Sequence, residues 1–256
     1  MPVVSVAIQK GGSGKTTTTI NLAAALRQKG KTVLVMDADP QANLSQSLGI
    51  LEEPAKNLFT ELKKEIAGKS SNLQAVIVQT KSGLPLVPST IELAAAELEL
   101  VSVYGREQVF TWLLEPLRQQ YDFIFIDCPP ATGMLTVNAL TASDFVLMPL
   151  QAEFLPLKGL RSFIQHFTTV KTKLNKKLEI LGFVLTHYDE RKTMNRQVCK
   201  MLEQEFGNKT FQTHIRSNIQ LANAQAAGVD IFSFDKQAHG ATDYMNLAGE
   251  FLEKLP

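Results

Sequence analysis

The chain has 256 residues, of which 45% are hydrophobic, so it is long enough to bury a large core. Its formal net charge of +1 gives no overall preference for nucleic acid or for a membrane surface. Its two cysteines, Cys128 and Cys199, are too few for a disulfide framework or a four-thiolate zinc site, and no run approaches about 18 apolar residues, so we expect a soluble cytoplasmic protein.

The first half of the chain alternates short apolar strands with helices. Val3–Ile8 is predicted to be a buried strand, and a glycine-rich loop separates it from a helix over Lys15–Lys29. Val33–Met36 is predicted to be a second buried strand. The remaining elements of this half are expected as a helix near 58–66, strands near 75–78 and 84–88, and helices over 91–100 and 107–119.

The second half continues the alternation, beginning with an apolar strand over 123–126 that ends at Asp127. The later elements are expected as helix 134–142, strand 145–149, helix 157–174, strand 178–185, helix 193–206, a short strand near 210–215, and helices near 218–227 and 239–254. Strands that are apolar throughout are typical of a parallel sheet covered on both faces. No linker or repeat interrupts this pattern, so we expect a single α/β domain over residues 1–256.

The stretch QKGGSGKTTTT, residues 9–19, contains the predicted phosphate site. Gly14, Lys15 and Thr16 complete the pattern G-x-x-x-x-G-K-[ST], in which glycines let successive backbone N–H groups wrap a phosphate chain. Gln9 stands where that pattern has its first glycine, and Lys10 adds a second lysine. Because a predicted strand precedes the loop and a helix follows it, the anion would lie at a helix N-terminus. The sequence therefore predicts binding of a nucleoside triphosphate.

Three segments, KGGSGKTT, DADPQANLS and DCPP, resemble the deviant Walker A ATPases of the ParA/MinD type. The resemblance runs nearly from end to end and is closest to the ParA branch of partition and positioning proteins. It implies a three-layer P-loop NTPase fold, with a mostly parallel sheet and helices on both faces. It also implies a slow, partner-stimulated ATPase whose cofactors are ATP and Mg²⁺.

The resemblance assigns roles to individual residues. Lys15 would contact the β- and γ-phosphates, Thr16 would ligate Mg²⁺ through its hydroxyl group, and Asp127 would hold Mg²⁺ through water. Asp39 would orient the attacking water, whereas the role of Asp37 is left open between orienting the adjacent loop and supporting the water shell of Mg²⁺. The full set of expected nucleotide contacts, from the phosphates to the adenine, is Gly11, Gly12, Ser13, Gly14, Lys15, Thr16, Thr17 and Asn218.

Lys10 is also explained by the resemblance. In proteins of this type, a lysine directly before the loop crosses a two-fold interface and reaches the nucleotide of the other subunit. It would resemble an arginine finger supplied in trans, which adds positive charge where the transition state accumulates negative charge. We therefore expect Lys10 to act in catalysis with Lys15 and Asp39, and the ATP-bound protein to be a homodimer.

Residues 151–220 are basic, with twelve Lys and Arg against six Asp and Glu. A dimer would double this charge, which favours non-specific, salt-sensitive binding to double-stranded DNA. The segment 215–218 is Ile-Arg-Ser-Asn here, where ParA proteins usually have Ile-Pro-Arg-Asn, and this departure leaves open which residues contact DNA. The candidates are Lys171, Lys173, Lys176, Lys177, Arg191, Lys192, Arg196, Lys200 and Arg216.

The resulting hypothesis is a DNA-dependent positioning ATPase that is cytoplasmic and associated with the nucleoid. A ParB-like or other cargo adaptor would stimulate hydrolysis, and the sequence leaves open whether the cargo is a plasmid, a chromosome or a protein body such as a carboxysome. The main alternative is a MinD-like ATPase that patterns a membrane surface. The last segment, YMNLAGEFLEKLP, instead fits a packed helix with Leu247, Phe251 and Leu255 inward, so we expect no membrane partner.

The same residues fit two further classes of function poorly. An iron–sulfur ATPase needs suitably placed thiols, and neither cysteine lies in a C-x-x-C pair. A small-molecule ligase or kinase needs a second substrate pocket, for which the sequence gives no sign. The positioning ATPase therefore remains the favoured hypothesis.

Overall fold

The computed structural model describes residues 2–152 and 156–255, and within them seven strands form one sheet. In chain order the strands are β1 (Val3–Val6), β2 (Val33–Asp37), β3 (Val78–Gln79), β4 (Pro85–Val87), β5 (Phe123–Asp127), β6 (Phe145–Gln151) and β7 (Glu179–Thr186). Across the sheet the order is β3–β4–β2–β5–β1–β6–β7, and β3, at one edge, pairs antiparallel while the other pairings are parallel. The predicted, mostly parallel sheet is confirmed.

Helices cover both faces of this sheet. They are α1 (Lys15–Gln28), α2 (Asn43–Ser47), α3 (Leu58–Ile66), α4 (Ala96–Glu99), α5 (Val109–Leu114), α6 (Met134–Ala142), α7 (Pro156–Lys173), α8 (Thr193–Phe206), α9 (Ile219–Ala226), α10 (Ile231–Phe234) and α11 (His239–Lys254). Successive strand residues alternate between the two layers, so Val3 belongs to the core on one face and Val4 to the core on the other. The prediction of helices on both faces is confirmed.

The last helix is a packed element of the core. Leu247 and Phe251 are fully buried, and the ring of Phe251 lies 5.5 Å from that of Phe123 and 5.7 Å from that of Phe125, measured between centroids. Leu255 is partly buried against the same cluster. The predicted inward face of this helix is therefore confirmed. Within the described residues, no helix is long and apolar enough to cross a membrane.

One predicted strand is displaced and another is wrong. The segment near 75–78 is mostly a 3-10 helix, Leu73–Val76, which precedes the two-residue strand β3. The segment 210–215 lies beside β7 but forms only isolated bridges there. This segment does not pair as a strand because Gln212 and Thr213 donate their N–H groups to the carboxylate of Glu250 on α11 and not to a neighbouring strand.

Two predicted helices are interrupted. The helix expected over 107–119 is α-helical only to Leu114 and ends as a 3-10 turn, because Pro116 has no N–H to continue the pattern. The helix expected over 91–100 is divided into 3-10 and α-helical pieces. Helices α2 and α10 were not predicted, since elements of five and four residues are too short to show a helical period.

The parallel strands bring their carboxyl ends to one edge of the sheet, which is where ligands of open α/β sheets bind. The glycine-rich loop follows β1, Asp37 ends β2, and Asp127 ends β5 directly beside it in register. Gln151 ends β6 and Thr186 ends β7. The side of the sheet at which the parallel strands end is called the carboxyl edge below, and the side at which they begin is called the amino edge.

Candidate nucleotide-binding site

The glycine-rich loop joins β1 to α1 in a backbone conformation that residues with a Cβ atom rarely adopt. Gly12 and Gly14 have φ of 71° and 86°, in the left-handed region that favours glycine. A Cβ atom on Gly14 would also lie 3.3 Å from Cγ2 of Thr186. Gly14 caps α1 without any side-chain acceptor, so the first N–H groups of the helix are available to an anion.

Lys15 lies inside this loop. Only 7% of its surface is exposed, and its ammonium group donates to the carbonyl oxygen of Lys10 at 3.0 Å. Burial lowers the pKa of Lys15, and the nearby negative charge of Asp127 opposes that effect. The cation is therefore held within the concave side of the loop, where phosphate oxygens would replace the carbonyl as its partner.

Thr16 and Asp127 converge at the base of the loop. The hydroxyl group of Thr16 donates to Oδ2 of Asp127 at 2.7 Å, and that of Thr19 donates to Oδ1 at 3.3 Å. Burial raises the pKa of Asp127 to about 7, which the Thr16 hydrogen bond partly offsets. A hydroxyl group and one carboxylate fit Mg²⁺, which binds few protein oxygens and completes its shell with phosphate and water.

The two acids of the DADP segment have different surroundings. Asp37 is fully buried and accepts hydrogen bonds from the N–H of Asp39 at 3.2 Å, the N–H of Ser45 at 2.8 Å and the hydroxyl group of Ser45 at 2.7 Å. Burial and the adjacent Asp127 raise the pKa of Asp37 to about 8. Asp39 accepts from the N–H of Gln41 at 2.9 Å. This geometry favours orientation of the loop as the role of Asp37, which the sequence left open.

We expect Asp37→Ala to lower the free energy of unfolding by about 2–4 kcal/mol, because it leaves buried donors on Ser45 and Asp39 without their acceptor. Asp39→Ala is the matched control, and its expected change is below about 1 kcal/mol because that carboxylate organises only a nearby turn. Urea titrations of both variants without nucleotide measure the difference. Equal stability losses would contradict the assignment of Asp37 to the scaffold.

A cavity of about 110 Å³ adjoins the loop beyond Thr17. Asn218, the expected adenine contact, lies in its wall, and its side chain caps α9 by accepting from the N–H of Gln220 at 2.8 Å. The other residues of the wall are Gly14, Thr17, Thr186, His187, Ile215, Arg216, Leu221, Ala222, Gln225 and Tyr244. The structure thus places Thr17 and Asn218 in the wall of one cavity beside the phosphate loop.

Lys10 and Gln151 form a contact that sequence inspection missed. The ammonium group of Lys10 donates to Oε1 of Gln151 at 2.8 Å, and Nε2 of Gln151 donates to the carbonyl oxygen of Gly12 at 2.8 Å. Thr186 was also missed, and its hydroxyl group donates to the carbonyl oxygen of Ser13 at 2.9 Å. Both residues are polar ends of apolar strands at the carboxyl edge, which is the signal that could have identified them.

The candidate DNA-binding residues do not form one surface. The carboxyl-edge group follows the end of β7 and comprises Arg191, Lys192, Arg196 and Lys200. The amino-edge group lies between the end of α7 and the start of β7 and comprises Lys171, Lys173, Lys176 and Lys177. Because β7 has eight residues, its two ends, beside which the two groups begin, lie about 26 Å apart. Residues 153–155 of the basic segment lie outside the described residues.

The members of the carboxyl-edge group differ in how they are held. Arg191 is 86% exposed and pairs with Asp189 at 2.9 Å, whereas Arg196 donates to the carbonyl oxygen of Glu190. Lys192 and Lys200 are exposed. Arg216 lines one cavity with Arg191 of the carboxyl-edge group, but its guanidinium group is held against Asp243 on α11 at 2.6 Å.

The two cysteines are buried and free. Burial raises the pKa of the Cys199 thiol to about 11, and it raises that of Cys128 still further. These environments are those of packing residues, since reactive cysteines need a lowered pKa and exposure. In the part of the chain that the structure describes, no group of three or more His, Cys, Asp or Glu could hold a metal ion by itself.

Comparisons with known proteins agree with this geometry. Residues 1–180 match a family described as "AAA domain". The chain is 39% identical over 248 residues to the sporulation initiation inhibitor protein Soj of Bacillus subtilis, which covers 97% of each protein. It is 38% identical over 254 residues to the chromosome partitioning protein ParA of Caulobacter vibrioides, covering 98% of this chain and 94% of that protein.

A solved structure extends the similarity to bound cofactors. It is cobyrinic acid a,c-diamide synthase from Mycobacterium smegmatis with bound ATP analog and magnesium, and it is 34% identical to this chain with a TM-score of 0.85. The similarity covers 99% of this chain and 94% of that one. The similarity to these proteins therefore extends along nearly the whole chain.

Proposed function

Because this chain belongs to the ParA/Soj family of P-loop ATPases and hydrolyses ATP with Mg²⁺, we propose that it is a DNA-binding positioning ATPase. Its ATP-bound dimer binds non-specific double-stranded DNA, and a ParB-like or other cargo adaptor stimulates hydrolysis and releases it. The observation that carries this proposal is the shared edge, since the carboxyl-edge basic group lies on the same side of the sheet as the phosphate loop.

The proposed roles in the site follow the contacts described above. Lys15 neutralises the β- and γ-phosphates, Thr17 approaches the α-phosphate, and the N–H groups of Gly11 to Gly14 wrap the chain. Thr16 and Asp127 would hold Mg²⁺, which would supply positive charge against the negative charge that develops on the phosphates. Asp39 orients the attacking water from the mouth of the site, and Asn218 lies on the base side.

Lys10 is proposed to act in trans within a homodimer. It lies at the carboxyl edge, and its ammonium group is held by Gln151 beside the carbonyl oxygen of Gly12. A partner nucleotide at this edge would offer phosphate oxygens, which bind an ammonium group more strongly than a neutral amide does. Formation of the dimer and occupancy by ATP would then stabilise each other.

The DNA contact is assigned to the carboxyl-edge group, and not to the amino-edge group, because only the former lies near the nucleotide. Binding that depends on ATP requires the DNA-contacting surface to be linked to the nucleotide state. A dimer formed at the carboxyl edge would place two copies of this group near one another, doubling the number of phosphate contacts.

We expect the wild-type protein to shift a non-specific DNA duplex in ATP and Mg²⁺ but not in ADP. The double variant Lys192→Ala/Lys200→Ala removes about two phosphate contacts per subunit, so the slope of log affinity against log salt should fall by about three to four per dimer. Gel shifts at several salt concentrations measure this slope.

The matched control is Lys173→Ala/Lys177→Ala, which removes the same charge from the amino edge. This control should keep a salt slope close to that of the wild type. A larger decrease of the salt slope in the control than in Lys192→Ala/Lys200→Ala would assign the DNA contact to the amino edge. A gel shift of equal strength in ADP would contradict an ATP-dependent switch. Flotation with anionic liposomes in ATP, without a DNA shift, would favour a MinD-like function instead.

The proposal covers residues 1–256 as one domain that works on the nucleoid in the cytoplasm. The seven-stranded sheet supports it, because its strands come from both halves of the chain. No membrane partner is included, since the face of α11 that bears Leu247 and Phe251 is occupied by the core. The cargo, whether plasmid, chromosome or protein body, is recognised by the adaptor and not by this chain.

A further inference from the structure

Residues 212–218, called the strap, lie between α11 and β7, which is the last strand on that side of the sheet. The N–H of Ile215 donates to the carbonyl oxygen of Leu185 at 2.8 Å, and the N–H of Tyr188 donates to that of Ile215 at 3.0 Å. On its other side, the strap is held by two carboxylates of α11. Together these contacts fix the strap between the sheet and the last helix.

The two carboxylates are Glu250 and Asp243, seven residues apart on α11 and so on one face of it, about 10 Å from each other. Glu250 accepts the N–H groups of Gln212 and Thr213, both at 2.8 Å. Asp243 accepts the N–H of Arg216 at 3.0 Å. The strap is thus tied at a far end by Glu250 and at a near end, beside the nucleotide cavity, by Asp243.

The near tie, which is the hydrogen bond from the N–H of Arg216 to Asp243, is reinforced by the side chain of Arg216. The guanidinium group of Arg216 donates to Asp243 through Nη2 at 2.6 Å and through Nε at 3.1 Å, and the side chain of Asp243 is only 7% exposed. One carboxylate therefore binds both the backbone and the side chain of the same residue. A charge-assisted contact of this bidentate kind is geometrically specific.

The tie lies at the wall of the base cavity. Ile215, Arg216 and Asn218 of the strap line the cavity of about 110 Å³, and Tyr244 of α11, the residue after Asp243, lines it too. The hydroxyl group of Tyr244 lies 3.2 Å from that of Thr18 on α1, the helix that carries the phosphate loop. Helix α11 therefore holds both walls of the cavity, the strap on one side and α1 on the other.

We propose that Asp243 and Arg216 are positioning residues for the nucleotide base, and that their ion pair sets the distance between the strap and α1. This inference rests on the placement of the base in that cavity proposed above. It also gives Arg216 a task at the nucleotide site, in place of the DNA contact expected from the sequence. The arginine, which stands where related proteins usually have proline, supplies through Asp243 the rigidity that a proline supplies through its ring.

The test compares the affinities of ADP and of inorganic tripolyphosphate, which lacks the base, by calorimetry in Mg²⁺. For Asp243→Asn, which retains an acceptor for the N–H of Arg216 but loses the charge, we expect ADP affinity to fall roughly tenfold. Tripolyphosphate affinity should stay within about twofold, since the phosphate loop is untouched. Arg216→Gln, a change at a half-exposed side chain, should behave in the same way if the first variant folds poorly.

Glu250→Gln is the matched control, because it loosens the far end of the same strap and should leave ADP affinity within about twofold. Three results would overturn the inference: unchanged ADP affinity in both near-tie variants, equal losses for ADP and tripolyphosphate, or an equal ADP loss in Glu250→Gln. A reduced DNA salt slope for Arg216→Gln at saturating ATP, with normal ADP affinity, would return this residue to the DNA contact.

Ala222→Phe separates failure of this inference from failure of the base placement. Ala222 is exposed in the cavity wall, so a phenyl ring there fills the cavity without entering the core. If that variant binds ADP normally, the base lies elsewhere and the proposed placement fails. If it loses ADP while Asp243→Asn and Arg216→Gln do not, the placement stands and only the positioning role fails.

Discussion

Replacing Lys10 with alanine is expected to abolish the ATP-dependent dimer and to lower ATP turnover by about two orders of magnitude or more, as removal of a charge supplied in trans does. The ammonium group would no longer compensate the charge that develops on the partner's nucleotide. Light scattering in ATP measures the dimer, and phosphate release measures turnover. Lys29→Ala, at the exposed end of α1, is the matched control and should match the wild type in both measurements.

Mixing variants distinguishes action in trans from action in cis. In a mixed dimer of Lys10→Ala and Asp39→Ala, one site has its own Asp39 and receives Lys10 from the other subunit. An equal mixture should therefore regain turnover that neither variant has alone, with an upper limit of about a quarter of the wild-type rate for random pairing, in which half of the dimers are mixed and one of their two sites is complete. No recovery, together with a normal Lys10→Ala dimer, would contradict the trans assignment.

Asp39→Ala is expected to lower turnover by about 10²–10⁴-fold while the ATP-bound dimer and its DNA shift persist. The reason is that Asp39 is assigned to the water and not to the phosphates, so binding should survive the loss of chemistry. Single-turnover hydrolysis of radiolabelled ATP measures the rate, and the gel shift in ATP measures the trapped state.

The Lys10→Ala and Asp39→Ala variants should differ in whether the ATP-bound dimer persists, and this difference makes the prediction specific. Lys10→Ala should lose both the dimer and turnover, whereas Asp39→Ala should lose turnover alone. If Asp39→Ala failed to bind ATP, or hydrolysed it at the wild-type rate, its carboxylate would have a structural role like that of Asp37. Thermal unfolding should separate these cases, because Asp37 holds three donors and Asp39 accepts from a nearby turn.

The strands and the phosphate loop could be predicted because their signals are local. Val33–Met36 and 123–126 are continuous apolar runs, and Gly14, Lys15 and Thr16 form a contiguous pattern whose backbone requirements glycine reveals. The acids that end two of these strands could also be placed, since parallel strands present their carboxyl ends together. These predictions needed no knowledge of distant contacts.

The rest of the site depends on residues that are distant in sequence. Gln151 meets Lys10 across 141 positions, and Thr186 meets Ser13 across 173, so neither contact leaves a trace in local spacing. The basic segment shows the same limit, because β7 divides a run that is continuous in sequence into groups on opposite edges. The segment 210–215, which overlaps the strap, was predicted as a strand, but Gln212 and Thr213 donate their N–H groups to Glu250 on α11 and not to β7.

The strap also determines how copies of this protein can meet. At one border of the sheet β3 offers only two antiparallel residues, and at the other Phe211 and the strap residue Ile215 occupy carbonyl groups of β7, at Phe183 and Leu185. Short or covered borders leave little room for another chain to extend the hydrogen-bonded ladder. Self-association by strand addition is therefore disfavoured, which fits the proposal that the dimer forms through the loops around the triphosphate, where hydrolysis would reverse it.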